Sequence, residues 1–276
     1  MSSVTFWTGK ATLEYRFRQL DNEAERDIRK IEKRGMRVVA EALEKQLRLA
    51  LPNEGVVEDA VNRLSLGDEI LKDALTGFIN EAILLGTDNA RSEIDVVYGV
   101  EKQFDNLGLD DVAGEAIGWV TQRINTLMQE LSHTSRDTLQ KLIAQWKGND
   151  LPFSSLIDTL ERAGWGFDLR RAKMIVETEA TRAFNKGKLM VAASSALTMH
   201  KRWVTAGDER VCPICTELGS VRYASGEGVG LQGDFEHPGG SGAAEQFGGQ
   251  LYQQPPAHPN CRCKVRLVVV GVPVPL

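Results

Sequence analysis

The 276-residue sequence has no run of about 18 apolar residues, so no segment reads as a membrane-spanning helix. Its first residues, MSSVTFWTGKATLEYRFRQL, lack the apolar core of a signal peptide, and the chain is expected in the cytosol where it is made. Positive charge is not in excess: 33 Lys and Arg stand against 38 Asp and Glu, for a net charge of −5. A protein that coats nucleic acid by charge needs the opposite balance. Cysteine is scarce, with four in the chain. Cytosolic thiols stay reduced, so metal binding or burial is expected ahead of disulfides. No His-Glu-x-x-His is present, and no serine or cysteine nucleophile has a legible matching base. The deaminase signature is also missing, because Pro213 sits inside the cysteine pair and His237 precedes Pro238-Gly239. With 26% charged and 42% hydrophobic residues, the remainder is ordinary globular material for one large domain or two modest ones.

What is present is unevenly placed. All four cysteines and seven of the nine prolines lie after residue 211, and eleven of the 26 glycines fall between Gly207 and Gly249. Charge does not follow this division: residues 1–205 carry 28 basic and 31 acidic side chains, and the rest carries 5 and 7. The boundary near 205 therefore separates two kinds of backbone.

The first 200 residues read as helix. From Leu13 the apolar residues Leu13, Phe17, Leu20, Ala24, Ile28 and Ile31 step by four and three along one helical face. Gly35 is a weak point, the stripe resumes through Val39, Leu43 and Leu47, and Pro52 closes it. A bundle helix is preferred to an intermolecular coiled coil, since the heptads do not persist. Residues 68–106 predict two weaker helical segments, broken around Gly86. A stronger helix is expected from Asp111 to Trp146, ending in the Lys147–Pro152 turn. A short helix follows over Phe153–Ala163, then a turn at Gly164–Gly166, and Asp168 is placed to cap a helix from Leu169 to Leu197. Glu179, Arg182 and Asn185 share a face of that helix and read as an ion-paired solvated or subunit-facing surface. His133 and His200 have no ligand partner at helical spacing and read as surface or packing residues.

The chemistry lies between Arg202 and Val265. Cys212-Pro213-Ile214-Cys215 points two thiolates at one centre, the usual half of a tetrahedral zinc site. His258-Pro259-Asn260-Cys261-Arg262-Cys263 supplies the second half. The expected ligands are Cys212, Cys215, His258 and Cys261, with Cys263 a rival for the fourth place. If Val265 and Leu267 continue a strand, Cys261 and Cys263 face the same side. A zinc ion here is structural: it staples a Gly- and Pro-rich segment with little capacity for a core, and four protein ligands leave no position for water. The glycine-rich stretch Gly226–Gly249 is no phosphate loop and reads as flexible or ordered by a partner. Asp234, Glu236 and His237 lie near the metal in sequence and keep a zinc-dependent nuclease as the alternative. A DNA-binding module is a third reading, resting on Arg262, Lys264 and Arg266.

The run Trp203-x4-Asp208-x-Arg210-Val211-Cys212-Pro213-x-Cys215-x2-Leu218-Gly219, followed by Pro255-Pro256-x-His258-Pro259-Asn260-Cys261-Arg262-Cys263, resembles the phage Mu F-like head-morphogenesis, or minor head, protein family. The preceding helix, with Glu177-Thr178-Glu179 and Asn185-Lys186-Gly187-Lys188, is similar to the helix before the cysteine motif in that family. The likeness covers about residues 150–270. One departure is Val176-Glu177-Thr178-Glu179, where many members have Arg-Thr-Glu. The resemblance implies a tailed-phage virion protein in the capsid interior or at the portal vertex, and in the host cytoplasm during assembly. Its implied partners are the portal protein, then scaffold or major capsid protein, with weak contact to packaged DNA and none to membrane. It implies head assembly, and in some relatives a part in DNA packaging or ejection, with no catalytic residues. Some relatives carry a toxin or enzymatic domain after the shared module; here the chain ends at Val272–Leu276, which favours the structural role. The expected fold is mainly α: an elongated helical body followed by a small zinc-stapled α+β C-terminal module. Residues 1–150 are then a helical docking region, 151–202 the helices leading into the motif, and 203–276 the metal-binding module.

Overall fold

A computed structural model describes residues 10–98, 109–149, 152–162, 169–220, 228–239 and 242–270. The stripe beginning near Leu13 forms one unbroken helix, α1 (Lys10–Ala50), in which Phe17, Ala24, Ile28, Ile31, Val39, Leu43 and Leu47 are all buried. Two short 3-10 turns, Glu54–Asp59 and Leu64–Gly67, flank the single turn of α2 (Ala60–Arg63). Four further helices follow: α3 (Asp68–Tyr98), α4 (Leu109–Gly148), α5 (Phe153–Arg162) and α6 (Leu169–Ser194). The chain is mainly helical, with a small sheet-bearing C-terminal region. The Asp168 cap, the Gly164–Gly166 turn, the helical segment expected beyond residue 98 and Val272–Leu276 all lie outside the described residues.

The expected break at Gly86 does not occur, because α3 runs straight through it. The glycine marks a crossing instead. A Cβ at Gly86 would stand 2.0 Å from the carbonyl oxygen of Phe184 on α6, and one at Gly187 would stand 2.2 Å from that of Ile83 on α3. Two glycines, one on each helix, let the backbones meet where any side chain would hold them apart. The loss of helix propensity, about 1 kcal/mol per glycine, is the cost of that approach.

After α6 the backbone becomes extended. Strand β1 (Met199–Val204) pairs antiparallel with β5 (Lys264–Val269) over its whole length, from Met199 opposite Val269 to Val204 opposite Lys264. The short β2 (Val229–Gly230) lies on the other edge of β1. A second small sheet joins β3 (Phe235–Glu236) to β4 (Leu251–Tyr252), and helix α7 (Pro213–Ser220) follows β1. The glycine-rich stretch, expected to be flexible or ordered by a partner, forms short strands and turns where it is described. Gly228, Gly239 and Gly249 adopt φ of +91°, +91° and +78°, so these glycines make the tight turns that short strands require.

The chain forms two compact units. One comprises residues 31–80 and 118–176, and Leu47, Leu51, Val57, Leu64, Leu139, Ile143, Leu156 and Leu160 build a core cluster in it. Within it the buried Gln46 donates through Nε2 to the Leu64 carbonyl at 3.3 Å and to Asp68 Oδ1 at 2.9 Å. The other comprises residues 1–30, 81–117 and 177–276, with a cluster of Phe17, Ala90, Ile94, Leu189, Val191, Met199, Val265 and Leu267. Alternation along β5 sends Val265, Leu267 and Val269 into this cluster. A buried ionic network runs beside it. Lys188 pairs with Glu93; Arg266 reaches Glu93 at 3.2 Å and Asp21 at 2.5 Å and lies 4.2 Å from the Phe17 ring centroid.

Two glycines of α3 should therefore answer alanine substitution with opposite signs. Gly77 has nothing within 4 Å of a built Cβ, so Gly77→Ala gains helix propensity and stabilises by about 0.5–1 kcal/mol. Gly86→Ala collides with backbone and destabilises by about 3 kcal/mol or more. Urea unfolding of both variants beside the parent measures the contrast.

Candidate metal centre

Both halves of the site are built by turns whose backbone prepares the ligands. Cys212 immediately precedes α7 and Pro213 opens it, where a missing N–H costs nothing. The Cys212 carbonyl accepts the Thr216 N–H at 2.9 Å, and the Cys215 N–H lies 3.4 Å from Cys212 Sγ. In the second half, the Cys261 N–H donates to the His258 carbonyl at 3.3 Å. Asn260 takes φ of 60°, a left-handed conformation that asparagine tolerates, and its N–H donates to Thr178 Oγ1 on α6 at 3.0 Å. Both halves share one pattern, ligand–Pro–x–Cys, visible in the sequence as Cys212-Pro213-Ile214-Cys215 and His258-Pro259-Asn260-Cys261.

The halves meet in space. Cys212 Sγ lies 2.9 Å and Cys215 Sγ 3.4 Å from His258 Nε2, and Cys215 Sγ lies 3.5 Å from Cys261 Sγ. Two donor sets result, Cys212–Cys215–His258 and Cys215–Cys261–Cys263, each with its ligand atoms within 4.8 Å of one another. All five residues singled out from the sequence are thus brought together, with Cys215 common to both sets. His258 Nδ1 faces the Pro259 carbonyl at 2.8 Å. A carbonyl accepts only, so Nδ1 is the donor of this pair and Nε2 is the ring nitrogen turned toward the thiols.

Burial makes the thiols interdependent. Cys215, Cys261 and Cys263 are 1–3% exposed, and Cys212 is half-buried. Hydrogen bonds with Cys261 and Cys263, then burial, push the Cys215 thiol far up, while the same contacts pull Cys261 down. Three thiols in so dry a cluster cannot all ionise against one another without a cation. The donor chemistry fits a soft or borderline metal: buried sulfurs and a correctly oriented imidazole nitrogen, with no carboxylate among them.

The surroundings hold this arrangement. Trp203 is 4% exposed and meets Phe235 edge-on, with ring centroids 5.4 Å apart at 85°. Asp208 accepts two hydrogen bonds from Arg262 Nη2, at 2.7 and 2.8 Å, which ties the segment before Cys212 to the residue after Cys261. The guanidinium beside Asp208 holds its carboxyl below the usual range. Asn185 on α6 is fully buried; its Nδ2 donates to the Cys263 carbonyl at 3.1 Å and its Oδ1 accepts the Val265 N–H at 2.7 Å.

That corrects the reading of α6 as a solvated or subunit-facing surface. Glu179 is 3% exposed, and Arg182 lies 3.4 Å from it. Asn185 shares this face but serves the backbone at Cys263 and Val265 instead. An asparagine deep in a helix, where its propensity is poor, was the available signal. His133, by contrast, is exposed and faces Asp137 at 3.4 Å, as a surface residue should. The three cations of the DNA-binding reading are already engaged within the chain: Arg262 by Asp208, Lys264 by the Asp21 carbonyl at 3.2 Å, and Arg266 by Asp21 and Glu93. The nuclease trio is not assembled either. Asp234 and Glu236 are exposed while His237 is buried with Nδ1 accepting the Gly239 N–H at 3.0 Å, and no potential metal group among the described residues includes them.

The comparison with known families falls on this same segment. Residues 134–266, which contain all five donors, match the model of the family described as phage Mu protein F like protein. Over these residues the chain is similar to the phage Mu F-like family. No curated protein and no solved structure gives a match. The matched segment begins within α4 and closes within β5, so it takes in α6 together with the turns that carry the candidate donors.

Two substitutions probe this framework. Asn185→Leu removes both hydrogen bonds to the strand carrying Cys263 and leaves a buried N–H and C=O unmet, for a loss of about 2–4 kcal/mol in chemical unfolding. Lys201 is fully buried, donates to the Gln253 carbonyl at 2.6 Å, and burial lowers its pKa to about 8. The unfolded chain binds the proton more tightly, so stability rises with pH between about 8 and the ordinary value of 10.5. Thermal unfolding across that range should show this rise in the parent and a flatter profile in Lys201→Met.

Proposed function

We propose that this chain is a minor head protein of a tailed bacteriophage, acting in head morphogenesis by docking on the portal. The observation that carries the reading is the phage Mu F-like match over residues 134–266. The helical body supplies the docking surface, and the C-terminal module keeps its shape through a structural zinc ion held by Cys212, Cys215, His258 and Cys261, with Cys263 adjoining. Zinc here stabilises by joining two chain segments more than forty residues apart that have little apolar surface of their own. Four protein ligands leave no coordination position for water, which supports assembly over zinc-dependent hydrolysis. Scaffold and major capsid protein are further partners on this reading, with a part in DNA packaging or ejection and a place in the virion after assembly in the host cytoplasm.

Two experiments test it. Purified protein mixed with the portal of the same phage should co-sediment with it; no association at any salt concentration overturns the docking role. Elemental analysis of the purified protein should find one zinc per chain, lost in Cys212→Ser. Zinc absent from both overturns the staple without touching the portal assignment.

A further inference from the structure

The centre offers five donors, one more than a tetrahedral ion uses. They are not equivalent. Cys212 and His258 are half-buried, whereas Cys215, Cys261 and Cys263 are buried and lie within 4.8 Å of one another through sulfur alone. Cys261 and Cys263 are two residues apart in the segment leading into β5, and both turn their sulfurs to the same place as that of Cys215. Asn185 fixes this backbone from α6 by its two hydrogen bonds around Cys263 and Val265. The Trp203 ring system, packed against Phe235 and Tyr252, walls the pocket with apolar surface. Those are the properties of a site for a soft ion: sulfur donors only, dry walls and a backbone that cannot readily rearrange.

We propose that Cys215, Cys261 and Cys263 form an inner, all-sulfur seat that takes a thiophilic, low-coordinate ion such as Cu(I), and that filling it leaves Cys212 and His258 unbound. The proposal rests on the metal-centre reading above and adds to it a choice of ligands set by the identity of the ion. Zinc, a borderline ion that favours four ligands, draws in the half-buried Cys212 and the His258 nitrogen. Cu(I) is satisfied by the three buried sulfurs. Cys215, common to both sets, prevents the two seats from being filled independently, so the ions compete.

The test uses the full chain, stripped of metal under reducing conditions and titrated with Zn(II) alone or Cu(I) alone against chromophoric chelators. His258→Ala should weaken zinc binding about tenfold or more and change Cu(I) binding by no more than about twofold; Cys263→Ser should do the reverse. Retention of zinc by Cys263→Ser doubles as the check that this variant is folded. X-ray absorption of the Cu(I)-loaded parent should find sulfur alone around the metal. A nitrogen in that shell, or two variants that weaken both ions alike, overturns the inner seat. A parent that binds Cu(I) at the three sulfurs but no zinc upholds the inner seat and removes the zinc staple, so the two readings fail separately.

Discussion

A strand edge buried against a helix leaves backbone N–H and C=O groups that must find partners, and at β5 the carboxamide of Asn185 is the partner. One side chain accepts from Val265 and donates to Cys263, reproducing what a neighbouring strand would have offered. Much of the centre is aligned through that contact. It sets the path of the chain from Cys261 to β5, and β5 in turn is the whole-length partner of β1, which leads through Trp203 toward Cys212. The helix that carries Asn185 is itself seated by the Gly86–Gly187 crossing one turn away. Close backbone approach, edge satisfaction and donor placement are thus one connected constraint.

Much of this was legible in the sequence, for reasons that can be named. The 3.6-residue period of α1 is long and strong, and a period is a local property. Cysteine and histidine are rare in this chain, so their clustering stands out against a low background. The five candidate donors can be gathered from the sequence alone. The ordering of the glycine-rich stretch was less legible, since a glycine required by a turn and one in a flexible loop look the same in one sequence.

Gly86 and Asn185 failed for a shared reason. Gly86 reads as a helix break and Asn185 as part of a surface, and in each case the deciding partner lies far along the chain: Phe184 for Gly86, and Cys263 and Val265 for Asn185. Glu179 belongs with them, since its burial is decided by what packs over α6. Such residues break a local rule because a tertiary contact outweighs it. The likeness to the phage Mu F-like family bears on the same residues, for the matched segment contains α6 and both turns that carry the candidate donors.

The salt bridge between Asp21 and Arg266 has a consequence for biosynthesis. It joins residues 245 positions apart, within a network that also recruits Glu93 and Lys188 from the middle of the chain. During translation the first half of α1 emerges long before its partners, and its Asp21 has no cation to meet until residue 266 has left the ribosome. That unit closes only after residue 266 has emerged, whereas residues 31–80 and 118–176 can assemble earlier. Ala90 and Ile94 can cover part of the face around Phe17 early, but the cover is completed only when Val265 and Leu267 arrive, so the start of α1 waits on a strand some 245 residues further along.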